Sequence, residues 1–136
     1  MEFLLPKIEQ IVKEFFSRMN LDGTKVEDIN LNGETVSVKI KSNDPQILIG
    51  EKGYVLFNTQ RLLRIILKKK LEIDKFYLDL DINDYKKKKI EYLKEIARTA
   101  AEEVILTKKE KVLDPIPPYQ RRIIHLELAD RPNVTT

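Results

Sequence analysis

The amino-acid sequence predicts an α+β fold, on three observations. Several long segments carry apolar residues at steps of three and four, the period of a helix with one buried face. Shorter segments alternate apolar and polar residues, which is typical of half-buried strands. The chain has 136 residues, enough for one compact domain of ordinary size or for two very small ones that share an interface.

The first third of the chain predicts a helix followed by a β-hairpin. Apolar residues between Phe3 and Met19 recur at helical spacing and predict a helix of about 15 residues, with Pro6 in its first turn. A weakly patterned strand over residues 26–31 and a cleanly alternating strand over residues 36–40 follow it. The dipeptide Asn32-Gly33 between them is typical of a type I′ turn.

The middle of the chain predicts two helices around a glycine-containing loop, and then a strand. Asp44-Pro45 is a capping residue followed by proline, which predicts one helical turn over residues 46–49. After Gly53 an amphipathic pattern, with Leu62 on its apolar stripe, predicts a long helix that ends in three lysines at 68–70. Residues 76–82 alternate cleanly and form the clearest predicted strand.

The last third of the chain predicts mainly helix. Asn83 or Asp84 is suited to cap a helix of about 23 residues that ends at Thr107 and carries a narrow, alanine-rich apolar stripe. Residues 111–114 are predicted as a short strand. Prolines at 115, 117 and 118 then break the chain before a final helix over residues 119–128.

The composition excludes several classes of function. The chain has no cysteine, which excludes disulfide frameworks, thiolate metal sites and cysteine nucleophiles. Its one histidine leaves little for acid–base catalysis, and Asp79 with Asp81 fits an exposed strand face better than a magnesium site. We therefore expect no enzyme activity, cofactor or metal. Without a signal peptide or an apolar run of roughly 20 residues, we expect a cytoplasmic protein that does not insert directly into a membrane.

Positive charge is concentrated in parts of the chain. Residues 1–60 contain 7 Lys and Arg against 9 Asp and Glu, whereas residues 61–136 contain 18 against 13. Basic residues cluster at 61–70 and at 86–89. Such patches suit a polyanion such as nucleic acid, although a solvated helix face also explains charge runs of this kind. The second cluster opposes the dipole of its predicted helix, which favours a contact with phosphates or with an acidic partner.

The loop Gly50-Glu51-Lys52-Gly53 is the strongest candidate for a binding site. Both glycines allow another chain to approach closely, because no Cβ stands in the way. Amide groups at the start of the following helix are unsatisfied donors that stabilise a phosphate, and Lys52 adds a full positive charge. Taken alone, two glycines at this spacing are more often a plain linker between helices, so the context of the loop decides.

That context resembles a KH domain of the bacterial type. The element order is α-β-β-α-α-β, and the motifs are Leu48-Ile49-Gly50-x-x-Gly53 and Gln60-x-Leu62. The resemblance implies a KH domain over residues 1–82 that clamps about four nucleotides of single-stranded nucleic acid, with the loop against the sugar-phosphate backbone.

The resemblance also implies a groove for the bases beside the loop. Ile47, Ile49 and either Val38 or Ile40 are expected to line it, although each is more often a plain core residue. On the long helix, basic residues at i, i+3 and i+7 share one face and extend the phosphate track, or else form a solvated face. These residues are Arg61, Arg64 and Lys68.

The last helix carries a second motif. His125 follows Arg121 by four residues, so both side chains lie on the same helix face with Arg122 beside them. Alone, such a histidine is more often a structural cap or a half-buried filler. Together with Leu113-Asp114-Pro115 and Tyr119, the run resembles the Arg-x-x-x-His motif of the R-three-H domain. The resemblance implies a nucleic-acid-binding domain over residues 83–136, in which Arg121 and His125 face the phosphate backbone.

A KH domain followed directly by an R-three-H domain resembles the bacterial Jag family, also called the SpoIIIJ-associated or KhpB family. The resemblance covers nearly the whole chain, including Asn83-x-Tyr85 and residues 131–136. Three departures stand out. Gln120 stands where the family usually has glutamate, and we expect both the separate N-terminal domain of many members and the C-terminal strand of the second domain, after Thr136, to be missing.

The resemblance implies a binding protein for single-stranded RNA, with single-stranded DNA as a second candidate ligand. Its expected role is post-transcriptional regulation or RNA chaperoning, linked to control of the cell envelope and cell division. The alternative is an adaptor whose main partners are proteins, either a membrane-protein insertase or a second, small KH protein. The residues expected to bind nucleic acid are Ile49, Gly50, Glu51, Lys52, Gly53, Arg61, Arg64, Lys68, Arg121, Arg122 and His125.

Overall fold

The chain divides into two compact units. A computed structural model describes residues 1–136, and the units are Met1–Tyr85 and Lys86–Thr136. Each unit has its own cluster of buried apolar side chains. None of the helices combines the length and the apolar composition that a bilayer crossing requires.

The first unit combines three strands with three helices, in the order α-β-β-α-α-β that the sequence predicts. Short 3-10 turns at Glu2–Leu4 and Glu51–Gly53 precede the first and third helices. The elements are α1 Leu5–Ser17, β1 Lys25–Asn32, β2 Thr35–Lys41, α2 Pro45–Ile49, α3 Tyr54–Leu71 and β3 Tyr77–Ile82.

The sheet of the first unit is mixed. Its strand order is β1-β2-β3, with β1 antiparallel to β2 and β2 parallel to β3. A parallel pair needs a crossover connection, and α2, the loop and α3 provide it. The crossover therefore holds the loop between its two helices.

The core of the first unit lies between the helices and one face of the sheet. Val38 and Ile40 point into this core and are 0% and 1% exposed. They cannot reach a ligand, so the expectation that one of them lines the base groove is wrong. Alternation along β2 places Lys39 and Lys41 on the opposite, exposed face.

The hairpin turn differs from the predicted one. Asn32 pairs with Thr35, so the two connecting residues are Gly33 and Glu34. Only Gly33 of these two has a positive φ, of 62°. A type I′ turn needs a positive φ at both central residues, whereas a type II′ turn needs it only at the first. The type I′ prediction is therefore wrong, and the φ pattern is that of type II′.

Helix α3 buries a narrower stripe than its sequence predicts. Leu56, Leu63 and Leu67 are fully buried, at the i, i+7, i+11 spacing of one helix face. Leu62, which was predicted on the same stripe, is 50% exposed. The prediction for Leu62 is wrong because periodicity cannot distinguish a buried apolar residue from an exposed one next to it. Leu62 adjoins buried Leu63 and so fits the same pattern.

The second unit is built on two helices, α4 Tyr85–Thr107 and α5 Pro118–Leu128. The alanine stripe of α4, at Ala97 and Ala101, packs with Ile124 and Leu128 of α5. An ion pair of 2.8 Å between Arg98 and Glu127 also joins the two helices.

The short strand predicted at residues 111–114 does not form. The segment between α4 and α5 is irregular, and Leu113 and Ile116 pack against the second core instead. A strand is stabilised by pairing with a neighbour, and the one sheet of the structure consists of β1, β2 and β3.

Candidate nucleic-acid interface

The loop from Gly50 to Gly53, named the GxxG loop, is a tight turn between α2 and α3. Gly50 closes α2 by donating from its amide to the Gln46 carbonyl at 2.9 Å, and Gly53 donates to the Gly50 carbonyl at 3.2 Å. Lys52 and Gly53 both adopt the left-handed conformation, with φ of 56° and 79°. These two left-handed residues interrupt the helical backbone between α2 and α3.

The backbone of the GxxG loop requires glycine at position 50. Its φ of 72° and ψ of 179° lie in a region that is open essentially to glycine alone. A Cβ built at Gly50 would lie 2.3 Å from Cγ2 of Val55, in the first turn of α3. Gly50 therefore packs in close contact with the start of α3.

The start of α3 offers donors and positive charge to an anion. No side-chain hydrogen bond caps the N-terminus of this helix at Gly53, and the Tyr54 amide donates to the Glu51 carbonyl within the loop. The helix dipole places partial positive charge at the same point, and the Lys52 side chain next to it is exposed. Glu51 is also exposed and partly offsets this charge.

A groove opens beside the GxxG loop. It has a volume of about 510 Å³ and is named here the Tyr85 groove. Of the isoleucines predicted to line it, Ile49 does so and is half-buried, whereas Ile47 is exposed and lies outside it. The lining residues are Pro45, Gln46, Ile49, Gly50, Glu51 and Tyr85.

Asn83 holds the segment that leads into α2. Its side-chain Oδ1 accepts from the Ser42 amide at 2.9 Å, and its Nδ2 donates to the Ser42 carbonyl at 2.8 Å. Asn83 and Asp84 both have a positive φ, of 50° and 57°, rather than the extended backbone of an N-cap. The Asn83 side-chain amide therefore holds the β2–α2 connection. The prediction that Asn83 could cap α4 is wrong.

The three basic residues predicted on α3 have different environments. Arg61 and Lys68 are exposed. Arg64 is half-buried, and its Nε and Nη2 donate to the Phe76 carbonyl at 3.3 and 3.2 Å while its guanidinium lies 5.0 Å from the centre of the Phe76 ring. The structure thus gives Arg64 a role in holding the start of β3, which its spacing in the sequence did not indicate.

Arg121 and His125 line a common cavity in the second unit. The cavity has a volume of about 400 Å³, and Ala97, Ala101 and Ile124 contribute to its apolar walls. Arg121 donates from Nη1 to the Ile116 carbonyl at 3.0 Å. The structure therefore brings the two residues of the Arg-x-x-x-His motif to the same cleft.

Near this cavity, Arg122, His125 and Gln120 differ in exposure and in their partners. Arg122 is exposed and does not line the cavity. His125 is exposed and its Nδ1 lies 2.6 Å from the Thr136 hydroxyl. Gln120 is 2% exposed and donates from Nε2 to the Tyr119 hydroxyl at 2.9 Å. A neutral amide satisfies this buried position without the cost of burying a charge.

Sequence reasoning missed two residues near the GxxG loop. Tyr85 appeared only within a motif at the domain junction, yet its ring lines the groove. Its Cε1 and hydroxyl oxygen would lie 3.1 and 3.2 Å from a Cβ at Gly53. Asn83 was treated only as a capping candidate. Both residues follow β3, and the fold brings Tyr85 to the loop and Asn83 to the segment before α2, so no local spacing connects them with Gly50.

Comparison with known proteins identifies the second unit. Residues 91–136 match the model of the R-three-H domain, the same domain that the motif from Arg121 to His125 resembles.

Three relatives carry the name RNA-binding protein KhpB. The chain is 31% identical to the protein of Clostridium symbiosum over 135 residues, which is 99% of this chain and 60% of that protein. It is 30% identical to the Lactiplantibacillus plantarum protein over 80% of this chain and 34% of that protein. It is 31% identical to the Bacillus subtilis protein over 74% of this chain and 48% of that protein.

The chain thus spans between 34% and 60% of the length of these relatives. The similarity to the C. symbiosum protein covers both units, and the R-three-H match falls within the second. The chain is thus similar to proteins of the Jag, or KhpB, family and carries an R-three-H domain.

Proposed function

We propose that the protein binds single-stranded RNA, through a KH domain in its first unit and the R-three-H domain in its second. The observation that carries the proposal is the GxxG loop at the uncapped start of α3, with exposed Lys52 beside it and a groove on its flank. A KH domain uses such a loop to hold the sugar-phosphate backbone. The names of the three relatives support RNA as the ligand.

The KH assignment is supported by the order and pairing of the elements. Two strands precede the GxxG loop and one follows it, as in the bacterial type of KH domain. Within the loop, Gly50 packs closely on Val55, an approach that leaves no room for a side chain at position 50. The loop supplies sequence-independent affinity, and base preference depends on the groove beside it.

The R-three-H domain contributes a second phosphate contact in this proposal. Arg121 and His125 line one cavity, and the proposal is that both side chains contact the phosphate backbone there. Exposed Arg61 and Lys68 extend the basic surface along α3, whereas Arg64 is engaged with Phe76.

The test is the salt dependence of RNA binding. Filter binding of pooled cellular RNA at several salt concentrations compares the wild-type protein with Lys52→Gln and with Arg121→Gln. We expect each variant to bind more weakly, with a log–log salt slope reduced by about 0.7 for each phosphate that is no longer neutralised. Lys41→Gln is the matched control, because Lys41 is exposed on the other face of the sheet. Unchanged affinity and slope in both variants would contradict the proposal.

For the biological role, we infer post-transcriptional regulation or RNA chaperoning, linked to control of the cell envelope and cell division. Backbone contacts with broad sequence tolerance suit a protein that acts on many transcripts. Crosslinking in cells, followed by sequencing of the bound RNA, tests this role. Recovery of transcripts for envelope and division proteins is expected to depend on Lys52. A transcript profile that Lys52→Gln leaves unchanged would argue against it.

A second candidate function is that of a protein adaptor. The exposed side of α3 carries Val55, Leu62 and Ile65, which are 40%, 50% and 59% exposed. Their spacing places them along one helix face, and an apolar patch of this kind marks many protein-binding surfaces. A small KH protein and a membrane-protein insertase are the proposed partners.

The adaptor function is tested by pull-down after nuclease treatment. Leu62→Gln with Ile65→Gln is expected to lose the small KH protein or the insertase. Leu106→Gln, at a leucine that is 84% exposed on α4, is expected to keep it. Loss of partners on nuclease treatment of the wild-type sample would instead favour RNA as the link.

A further inference from the structure

We propose that Tyr85 is a base-contacting residue, whose ring forms the wall against which a nucleobase stacks in the Tyr85 groove. The inference rests on the proposed RNA-binding function and assigns the bases to one surface beside the GxxG loop. Tyr85 is the only aromatic residue among the six that line the groove. Stacking of bases on aromatic rings is a common source of affinity for single strands.

The chemistry of the lining favours a base over a phosphate. Pro45, Ile49 and Tyr85 offer largely apolar surface, and the only ionisable carboxyl in the lining, that of Glu51, repels an anion. Lys52 does not line the groove. Phosphate is therefore favoured on the loop and at the start of α3, while the groove beside them suits the flat, uncharged face of a base.

Gln46 provides a polar group in the same groove. A side-chain amide carries both a donor and an acceptor, which match the hydrogen-bonding edge of a base. An apolar wall with one amide is the arrangement expected of a site that holds a base by stacking and tolerates several base identities.

The Tyr85 ring is held in place before any ligand binds. It is half-buried, packs against the first core, and lies close to Gly53, where even a Cβ would be 3.1 Å from its Cε1. A ring with restricted freedom loses little conformational entropy on binding. Its place beside Gly53 also puts the stacking surface next to the residues that are proposed to hold the backbone.

The experiment compares two short oligoribonucleotides, one of uridine and one in which every nucleotide is abasic. Affinities are measured for the full chain as wild type, Tyr85→Phe, Tyr85→Leu and the control Tyr77→Leu. Tyr77 is 68% exposed at the start of β3 and does not line the groove. A stacked base contributes about 1–3 kcal/mol, so Tyr85→Leu should weaken oligouridine binding about 5-fold or more.

The abasic oligomer separates base contact from an effect on the loop. We expect wild type and Tyr85→Leu to bind it equally, because it offers no base to stack. Tyr85→Phe should bind oligouridine nearly as well as wild type, and Tyr77→Leu should match wild type throughout. Equal weakening of both oligomers by Tyr85→Leu would show that Tyr85 acts only by positioning the loop, and would overturn the inference.

A second measurement does not depend on folding of the variants. Wild-type protein is irradiated in complex with an oligomer containing 4-thiouridine, and the crosslinked peptides are mapped. A crosslink at Tyr85 is expected. Binding of the oligomer with crosslinks that never include Tyr85 would refute the base contact alone. Failure of the wild-type protein to bind either oligomer would refute the proposed function itself.

Discussion

Gly50 and Gly33 both adopt a positive φ, yet a methyl group would meet different surroundings at the two positions. At Gly33 a Cβ has nothing within 4 Å, whereas at Gly50 it lies 2.3 Å from Val55. We expect Gly33→Ala to lower the free energy of unfolding by about 1 kcal/mol, through backbone strain alone. Gly50→Ala should lower it by about 3 kcal/mol, because the clash adds to the strain.

Urea-induced unfolding followed by circular dichroism measures this difference. Equal losses of unfolding free energy in the two variants would mean that Val55 can move away from an added methyl group at little cost. The GxxG loop would then not be tightly packed on α3.

Asn83 also has a matched partner for comparison. Asn83→Gly keeps the left-handed backbone but removes both hydrogen bonds to Ser42, so we expect the free energy of unfolding to fall by about 1–3 kcal/mol. Asn20 has a φ of 52° and is exposed. Asn20→Gly should therefore have little effect in the same urea titration. A similar effect of both substitutions would show that the side-chain bonds of Asn83 contribute nothing net.

At the residue scale, the sequence predicted local features better than distant ones. The GxxG loop between two helices, and the shared helix face of Arg121 and His125, could be predicted. Their residues are neighbours in the chain or on one helix. The position of Tyr85 beside the loop, and that of Asn83 beside Ser42, depend on where β3 ends in the sheet. No pattern in a single sequence reports that placement.

At the scale of elements, helix α3 carries two arginines with different roles. Arg64 is bonded to the start of β3, whereas Arg61 is exposed. Arg64→Met removes two charged hydrogen bonds to the Phe76 carbonyl and a contact with its ring. We expect this change to lower the free energy of unfolding by about 2 kcal/mol. Arg61→Met, three residues earlier and exposed, should change it by less than about 0.5 kcal/mol.

Thermal unfolding of the two variants tests this assignment. The RNA-binding assay, run at a temperature where both variants are folded, should give the opposite ranking. There Arg61→Met should lose more RNA affinity than Arg64→Met. If Arg64→Met unfolds like the wild type, the guanidinium does not hold β3.

The helices and strands themselves were predictable wherever burial is periodic. The order of elements in the first unit follows from helical and strand periods and from glycine and proline signals. Two of the errors concern the pairing of strands. The hairpin turn lies one residue later than predicted, and residues 111–114 form no strand. Register and strand partners depend on the whole sheet, so propensity at a few residues could not predict them.

At the scale of the whole molecule, the two units have cores of unequal size. Fourteen buried apolar side chains form the first core, whereas five form the second, and two of those are alanines. Because stability follows the apolar area that is buried, we expect the second unit to open more readily. Hydrogen exchange measured by mass spectrometry should show less protection for α5 than for β2. Equal protection in both segments would mean that the chain unfolds as one cooperative body.

The position of Tyr85 has a consequence for the newly made chain. The GxxG loop is complete at Gly53, but the wall of its groove follows only after α3 and β3. At about 5–20 residues per second, synthesis reaches Tyr85 roughly 2–6 s after Gly53. During that interval the nascent chain contains the residues of the GxxG loop but not the residue that we propose as the stacking surface for a base. We therefore expect the complete RNA-binding site only after Tyr85 has been synthesised.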